Sequence, residues 1–177
     1  ISELKKEQSL IIDVEKIYSS DNINLKEKIL KNSITLSNPK KNESWEMSSL
    51  NQQNFIGNIY LSGDDNIFFK KKFGKKKYPI SRFESPLLYF KDHLIFADDR
   101  GIIYKINNNG KLSWKKNIYK KIYKNIYKNL VLSIYKNQLF IADNVGFIYS
   151  INLDNGELIW IKNYGIPLRS NIKVFED

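Results

Sequence analysis

Acidic and amide side chains recur in the sequence at positions that could hold a metal ion. Asp98, Asp99, Asp143, Asn144 and Asp154 lie after or between runs of β-forming residues. Their oxygens suit Ca²⁺, but a calcium site needs about six to eight converging oxygens, and the spacing of an EF-hand loop is absent. Asp and Asn also close tight turns, because their side chains bond the nearby backbone. The sequence therefore favours turns at these positions and predicts no metal or cofactor site.

Other catalytic chemistry is restricted by composition. The chain contains no Cys, which excludes thiolate metal sites, disulfides and a Cys nucleophile. His93 is the single His, so a cluster of His ligands cannot form. We expect His93 to be an exposed turn residue.

Lysine-rich segments raise the possibility of polyanion binding. The net charge is +10, Lys70–Lys72 and Lys75–Lys77 form a dense basic stretch, and residues 115–130 repeat an Ile-Tyr-Lys unit. Interleaved Lys and Tyr could contact phosphates and stack on bases, or bind anionic lipid headgroups. Only three of the 29 basic residues are Arg, the residue most used to read bases. We therefore predict a solvated loop at 115–130 and no specific nucleic-acid binding.

Short β-like runs separated by Gly, Asn and Asp fill the sequence from Trp45 onward. Connections of two to five residues predict antiparallel neighbours. Residues 1–44 lack this pattern and are expected to form an N-terminal arm, extended or partly disordered. The predicted strands are 67–73, 86–91, 94–98, 102–107, 111–117, 130–136, 138–143, 147–152, 157–163 and 171–175.

The strands after residue 85 form an internal repeat. Residues that recur between 94–119 and 139–165 are Ala97, Gly101, Tyr104, Gly110 and Trp114 in the first copy, and Ala142, Gly146, Tyr149, Gly156 and Trp160 in the second. Four short strands in about 40–45 residues is the period of a propeller blade. One Trp per repeat predicts a packing role between blades. The sequence thus predicts an all-β fold: a β-propeller of four-stranded antiparallel blades, incomplete here, with about two blades plus flanking strands.

Propellers typically need about four to eight blades to close a ring, so residues 45–177 are expected to be the N-terminal part of a longer propeller. Blades are expected at 86–119 and 129–165, with the next blade beginning at 170–177. Residues 66–74 are expected to be a closing strand that completes the last blade. The chain starts at Ile1 without a signal-peptide core, and we expect that an N-terminal segment has been removed.

The repeat resembles the PQQ-like β-propeller family, whose signature is roughly A-x-x-x-G-x-V-Y-A-L-D-x-x-T-G-K-x-L-W. The small residue after Tyr in that signature is Lys105 or Ser150 here. Residues 44–74 resemble the entry segment of the BamB family of outer-membrane protein assembly factors, particularly its alphaproteobacterial members. Trp45, Asn54, Asn58 and the run before Gly74 fit its outline. Its Gly-Gly pair and outer-strand Trp are missing, with Phe68 or Phe69 in place of the Trp.

The resemblance implies a non-enzymatic scaffold in the periplasm, associated with the outer membrane through a lipid anchor that is not in this sequence. It implies protein partners: a subunit of the β-barrel assembly machinery and unfolded outer-membrane proteins, whose assembly and insertion the scaffold would assist. Which residues contact partners stays open. The alternative is the N-terminal part of a PQQ-dependent quinoprotein dehydrogenase. These enzymes share the repeat, but their calcium ligands, catalytic Asp and vicinal Cys pair cannot be mapped onto this chain.

Overall fold

The computed structural model describes residues 33, 35–61, 63, 67, 69–74, 85–123 and 125–175. By its internal contacts the chain divides into two units, Ile1–Leu36 and Ser37–Asp177. Most of the predicted N-terminal arm lies outside the described residues, as do Lys75–Lys77.

Eight strands form two four-stranded antiparallel sheets, each in simple sequential order. We call the sheet of β1–β4 blade 1 and the sheet of β5–β8 blade 2. This arrangement confirms the predicted all-β fold of antiparallel propeller blades. The strands are β1 (Leu88–Phe90), β2 (His93–Ala97), β3 (Ile102–Asn107), β4 (Leu112–Asn117), β5 (Leu130–Tyr135), β6 (Gln138–Asp143), β7 (Phe147–Asn152) and β8 (Leu158–Asn163).

The connections within each blade are short, and the two blades share their irregularities. Lys91 and Asp92 join β1 to β2 with φ angles of 46° and 58°, which suits the two-residue turns that match strand twist. A bulge shifts the β3–β4 register between Lys105 and Ile106, and the β7–β8 register shifts at the equivalent place. His93 is the first residue of β2 rather than part of the turn, because the turn needs only two residues.

Each blade has two faces, which we name after a repeated residue. Residues paired across strands point to the same face, so the register places Leu88, Ile95, Lys105 and Trp114 in one row on the Trp face of blade 1. The same pairing places Leu132, Ile141, Tyr149 and Ile161 in one row on the Tyr face of blade 2. These two faces pack together. Their buried residues form one hydrophobic core cluster, comprising Leu88, Ile95, Ala97, Ile103, Leu130, Leu132, Ile134, Leu139, Ile141, Tyr149, Ile151 and Leu153.

A segment before the blades crosses the strands at one edge of both sheets. Trp45 forms an antiparallel bridge with Tyr89 of β1, and Met47 forms one with Ser133 of β5. The carbonyl of Glu46 also accepts a hydrogen bond of 2.6 Å from the backbone N–H of Ile134. Residues 45–47 therefore link the two blades along the edge formed by β1 and β5.

The predicted strands 67–73 and 171–175 are not paired as strands among the described residues, and their roles as the closing strand of the last blade and the start of the next blade stay predictions. Residues 67 and 69–73, the described part of 67–73, form no strand, because this segment packs on a sheet face through its side chains: the Phe73 ring lies 5.8 Å from that of Phe96. Residues 171–175 also form no strand, because side chains meet this segment instead of a strand edge. There the carbonyl of Val174 accepts a hydrogen bond from the side chain of Gln52.

Candidate functional site

The buried carboxylate of Asp143 closes the turn between β6 and β7. Its Oδ1 accepts hydrogen bonds from the backbone N–H groups of Val145, Gly146 and Phe147, at 3.0, 2.8 and 2.8 Å. Its Oδ2 accepts a hydrogen bond of 2.6 Å from the Tyr119 hydroxyl. Both oxygens of this fully buried side chain are thus used in holding the turn and the preceding connection.

Asp98 closes the turn between β2 and β3 of blade 1 in the same way. Its Oδ1 accepts hydrogen bonds from the backbone N–H groups of Arg100 and Ile102. Its Oδ2 accepts one from the Tyr104 hydroxyl at 3.1 Å and pairs with the Arg100 guanidinium at 3.0 Å. Within the described residues no group of three or more acidic, His or Cys side chains converges as a metal site would require. The structure places these Asp residues in turns.

The repeated Trp of blade 1 docks into a turn of blade 2. The Trp114 indole N–H donates a hydrogen bond of 3.0 Å to the carbonyl of Leu153. A Cβ on Gly156 would lie 3.0 Å from the indole ring, and Gly156 has a φ of +73°, a region that disfavours other residues. Gly156 therefore allows both the turn and the close approach of the Trp114 ring.

Lys105 contacts the same carbonyl of blade 2 as Trp114 does. In the signature of the PQQ-like family its position, directly after the repeated Tyr, holds a small residue. Its ammonium donates a hydrogen bond of 3.0 Å to the Leu153 carbonyl, and burial between the blades lowers the pKa of Lys105. Its counterpart Ser150 is fully buried and donates a hydrogen bond to Gln138. Both departures from the family pattern are thus accommodated by hydrogen bonds.

The Tyr face of blade 1 receives residues 69–74 in a corresponding way. A Cβ on Gly110 would lie 3.4 Å from Phe69 and from the Lys71 side chain, and Lys71 donates a hydrogen bond of 2.7 Å to the Gly110 carbonyl. Phe69 thus meets Gly110 as Trp114 meets Gly156. Five residues further on, Gly74 lies against Asp98, just as Tyr119 lies against Asp143 five residues after Trp114. Although residues 69–74 are not a strand, they occupy on blade 1 the place that β4 and its continuation occupy on blade 2.

The Trp face of blade 2 is more open than that of blade 1. Its row comprises Ser133, Phe140, Ser150 and Trp160, and the rings of Phe140 and Trp160 lie 6.2 Å apart. Trp160 is 41% exposed, whereas its counterpart Trp114 packs against the core cluster. Equivalent residues in the sequence therefore have different surroundings.

Strand β8 differs in chemistry from its counterpart β4. Both are the terminal strands of their sheets among the described residues, but β4 reads LSWKKN and β8 reads LIWIKN. The changed residues are Ile159 and Ile161, which are 49% and 50% exposed. They replace Ser113 and Lys115 of β4. Blade 2 thus presents an apolar strand at its outer edge.

The connection 118–129 lies at the end of the sheets that carries the two Asp turns, which we call the loop end. Tyr119 stacks edge-on against Tyr149, and Tyr123 against Phe147, with ring centroids 5.9 and 5.6 Å apart. Burial and the neighbouring Asp143 raise the pKa values of Tyr119 and Tyr149 well above the ordinary value for tyrosine. Lys128 is buried and lies 4.9 Å above the Tyr119 ring. The rings of Tyr119 and Tyr123 are therefore half-buried and packed against blade 2.

Sequence reasoning missed three of these features. Alignment of the repeats treats Trp114 and Trp160 alike, although only one of them is docked between described blades. The apolar character of β8 was visible as two substitutions between the copies, and comparing strand sequences position by position would have found it. Tyr119 and Tyr123 point inward because they contact residues of blade 2, and the local sequence around them does not predict that direction.

Neither a protein-family model nor a curated protein sequence matches the chain. Solved structures that match it include the crystal structure of BamB from Moraxella catarrhalis, at 20% sequence identity and a TM-score of 0.40. The match covers 51% of this chain and 25% of that chain. This likeness concerns the propeller fold. Among the described residues no helix combines the length and apolarity needed to cross a membrane.

Proposed function

We propose that the protein is a non-enzymatic propeller scaffold that binds extended protein chains and assists the assembly of β-barrel proteins in the outer membrane. The observation that carries the proposal is the apolar terminal strand β8. Ile159 and Ile161, on one face of this strand, are 49% and 50% exposed. The equivalent strand of blade 1 has Ser113 and Lys115 at these positions.

A terminal strand has backbone N–H and C=O groups on its outer side that can pair with another chain. Proteins use charged residues, Lys above all, to prevent such pairing, and β4 carries Lys115 and Lys116 in this way. Strand β8 has Lys162 but lacks the equivalent of Lys115. Addition of an extended peptide to such an edge is a common mode of recognition, in which the backbone gives affinity and side-chain pockets give specificity.

Unfolded outer-membrane proteins have suitable chemistry for this edge. Their strands are segments of about ten residues in which apolar and polar side chains alternate. The apolar face of such a segment would contact Ile159 and Ile161, which share one face of β8, while its backbone would pair with β8. The resemblance of the repeat and of residues 44–74 to BamB supports this class of client, a periplasmic location and a partner in the barrel assembly machinery.

The test exchanges the two strand sequences. The variant I159S/I161K gives β8 the sequence of β4, and S113I/K115I gives β4 the sequence of β8. Binding is measured by fluorescence anisotropy with a labelled, urea-denatured outer-membrane β-barrel protein diluted into the purified full chain. We expect I159S/I161K to weaken binding at least tenfold, since it removes two exposed apolar side chains of about 1.5–3 kcal/mol each when buried. The reciprocal variant S113I/K115I should bind more client.

Equal binding by the wild type and I159S/I161K would reject β8 as the client site. Co-purification with the central barrel subunit of the assembly machinery tests the proposed partner separately. The non-enzymatic character is tested by adding PQQ and Ca²⁺ to the protein and assaying alcohol and sugar oxidation. Turnover that requires PQQ would favour the quinoprotein alternative instead.

A further inference from the structure

Two aliphatic side chains of the connection 118–129 are exposed to solvent. Ile122, in the 3₁₀ turn Lys121–Tyr123, is 75% exposed, and Ile126 is 43% exposed. Within the Ile-Tyr-Lys repeat, Ile118 and Tyr119 pack against the core cluster, whereas Ile122 and Ile126 face solvent. Exposure of a large apolar residue at the tip of a loop has no packing benefit for the folded chain.

The base of this connection is fixed to blade 2. The side chain of Asn144 donates a hydrogen bond of 3.1 Å to the Tyr127 carbonyl and accepts one of 2.8 Å from the Asn129 N–H. The ammonium of Lys128 donates a hydrogen bond to the Tyr123 carbonyl. The exposed residues are thus presented on a supported loop at the loop end of the blades.

Positive charge surrounds the two Ile residues. Lys120 and Lys121 are exposed beside Ile122, and Lys115 and Lys116 are exposed in the adjoining strand β4. Residues 115–130 contain six Lys and no Asp or Glu. A surface of this composition is complementary to a negatively charged one that also accepts aliphatic groups.

We propose that the tip of this connection, defined as Lys120, Lys121, Ile122 and Ile126, binds the surface of a bilayer that contains anionic phospholipid. Lysines attract anionic headgroups at a membrane surface, and aliphatic side chains gain free energy by entering the boundary between headgroups and acyl chains. A nucleic acid fits less well, because base stacking needs exposed aromatic rings and the rings of Tyr119 and Tyr123 are packed inward.

The expected effects follow from the two kinds of contact. Each Lys near an anionic surface strengthens binding about fivefold, so K120Q/K121Q should weaken binding about 25-fold. Removing the inserted aliphatic groups with I122S/I126S should weaken it at least tenfold. The lysine contribution should also shrink as salt is raised, because salt screens exposed charges beyond about 8–10 Å.

The experiment is flotation of the full chain with vesicles of phosphatidylcholine alone or with phosphatidylglycerol added, at low and physiological salt. The matched controls are K91Q/K111Q, which removes two exposed lysines from turns at the opposite end of blade 1, and I56S, which removes an exposed Ile from the segment before the blades. Circular dichroism and thermal melting check that each variant is folded. We expect binding to phosphatidylglycerol vesicles that both tip variants lose and both controls keep.

Three outcomes would overturn the proposal: no preference for phosphatidylglycerol, equal losses in K91Q/K111Q and K120Q/K121Q, or unchanged binding of I122S/I126S. The last would mean that the lysines bind any polyanion, and retention on heparin by the same variant would confirm that reading. The vesicle experiment contains no protein client. Its result therefore stands independently of the function proposed for β8.

Discussion

Replacing Gly156 with Ala tests whether the docking of Trp114 holds the two blades together. Gly110 provides a matched control, because it occupies the same place in blade 1 and has nearly the same backbone conformation, with a φ of +68° against +73°. Both substitutions force Ala into a left-handed conformation, at about 1 kcal/mol. The two positions differ in what a new methyl group would meet.

At Gly156 the methyl carbon would lie 3.0 Å from two carbons of the Trp114 ring, whereas at Gly110 it would lie 3.4 Å from a flexible Lys71 side chain and from Phe69. The indole must therefore move in G156A. Overpacking of this kind costs about 1–3 kcal/mol, and lengthening the bond from Trp114 to the Leu153 carbonyl costs about 1 kcal/mol more. We expect G156A to lower the free energy of unfolding by about 3 kcal/mol and G110A by about 1 kcal/mol.

Urea unfolding followed by circular dichroism measures both values. A double-mutant cycle then isolates the cause: in a W114A background, G156A should cost only about 1 kcal/mol, because the ring that the methyl group would strike is gone. Equal costs for G110A and G156A, or an unchanged cost of G156A without the indole, would refute the docking argument.

The hydrogen bonds of the Asp143 turn give two further predictions. D143A should lower the free energy of unfolding by about 3 kcal/mol, because it leaves buried N–H groups without an acceptor. D154A, at an exposed turn, should change it by less than about 0.5 kcal/mol. Chemical denaturation of both variants measures the two values, and similar losses of stability would contradict the prediction. The raised pKa of Tyr119 means that the folded chain keeps a proton which the unfolded chain loses above its ordinary pKa of 10.0, so stability should fall as pH rises beyond that value. Y119F should flatten this fall between about pH 9.5 and 11. Identical pH profiles for Y119F and the wild type would disprove the link.

Much of the fold could be predicted from the sequence because strand and turn signals are local. Alternating side chains and Gly or Asn turns placed β2 to β8 to within a residue or so, and the repeat of Gly and Trp identified the blades. The described residues of 67–73 and 171–175 are not strands, because β-forming composition makes a strand only where a partner edge is present, and their predicted places in the last and next blades stay predictions. Residues 69–73 instead pack by their side chains on a blade face that is already complete.

Less of the candidate surfaces could be predicted. The alternating Lys and Tyr residues of 115–130 are suited by type to contact with phosphates, bases or lipid. In the structure the Tyr119 hydroxyl donates a hydrogen bond to the buried carboxylate of Asp143, whereas Ile122 and the neighbouring Lys120 and Lys121 face solvent. This difference depends on where blade 2 lies, which is information from residues 20 to 30 positions further along the chain.

By itself the sequence determined the blade: strand length, turn positions and the residues that must be Gly follow from local backbone geometry and from alternation of side chains. Only the tertiary structure decided which copy of a repeated residue is used. Trp114 finds the Leu153 carbonyl and the Gly156 turn of the next blade, while Trp160, at the same place in its own blade, remains 41% exposed. The physical reason is that a blade face is buried by its neighbour, and a neighbour is a property of the assembled fold rather than of the repeat.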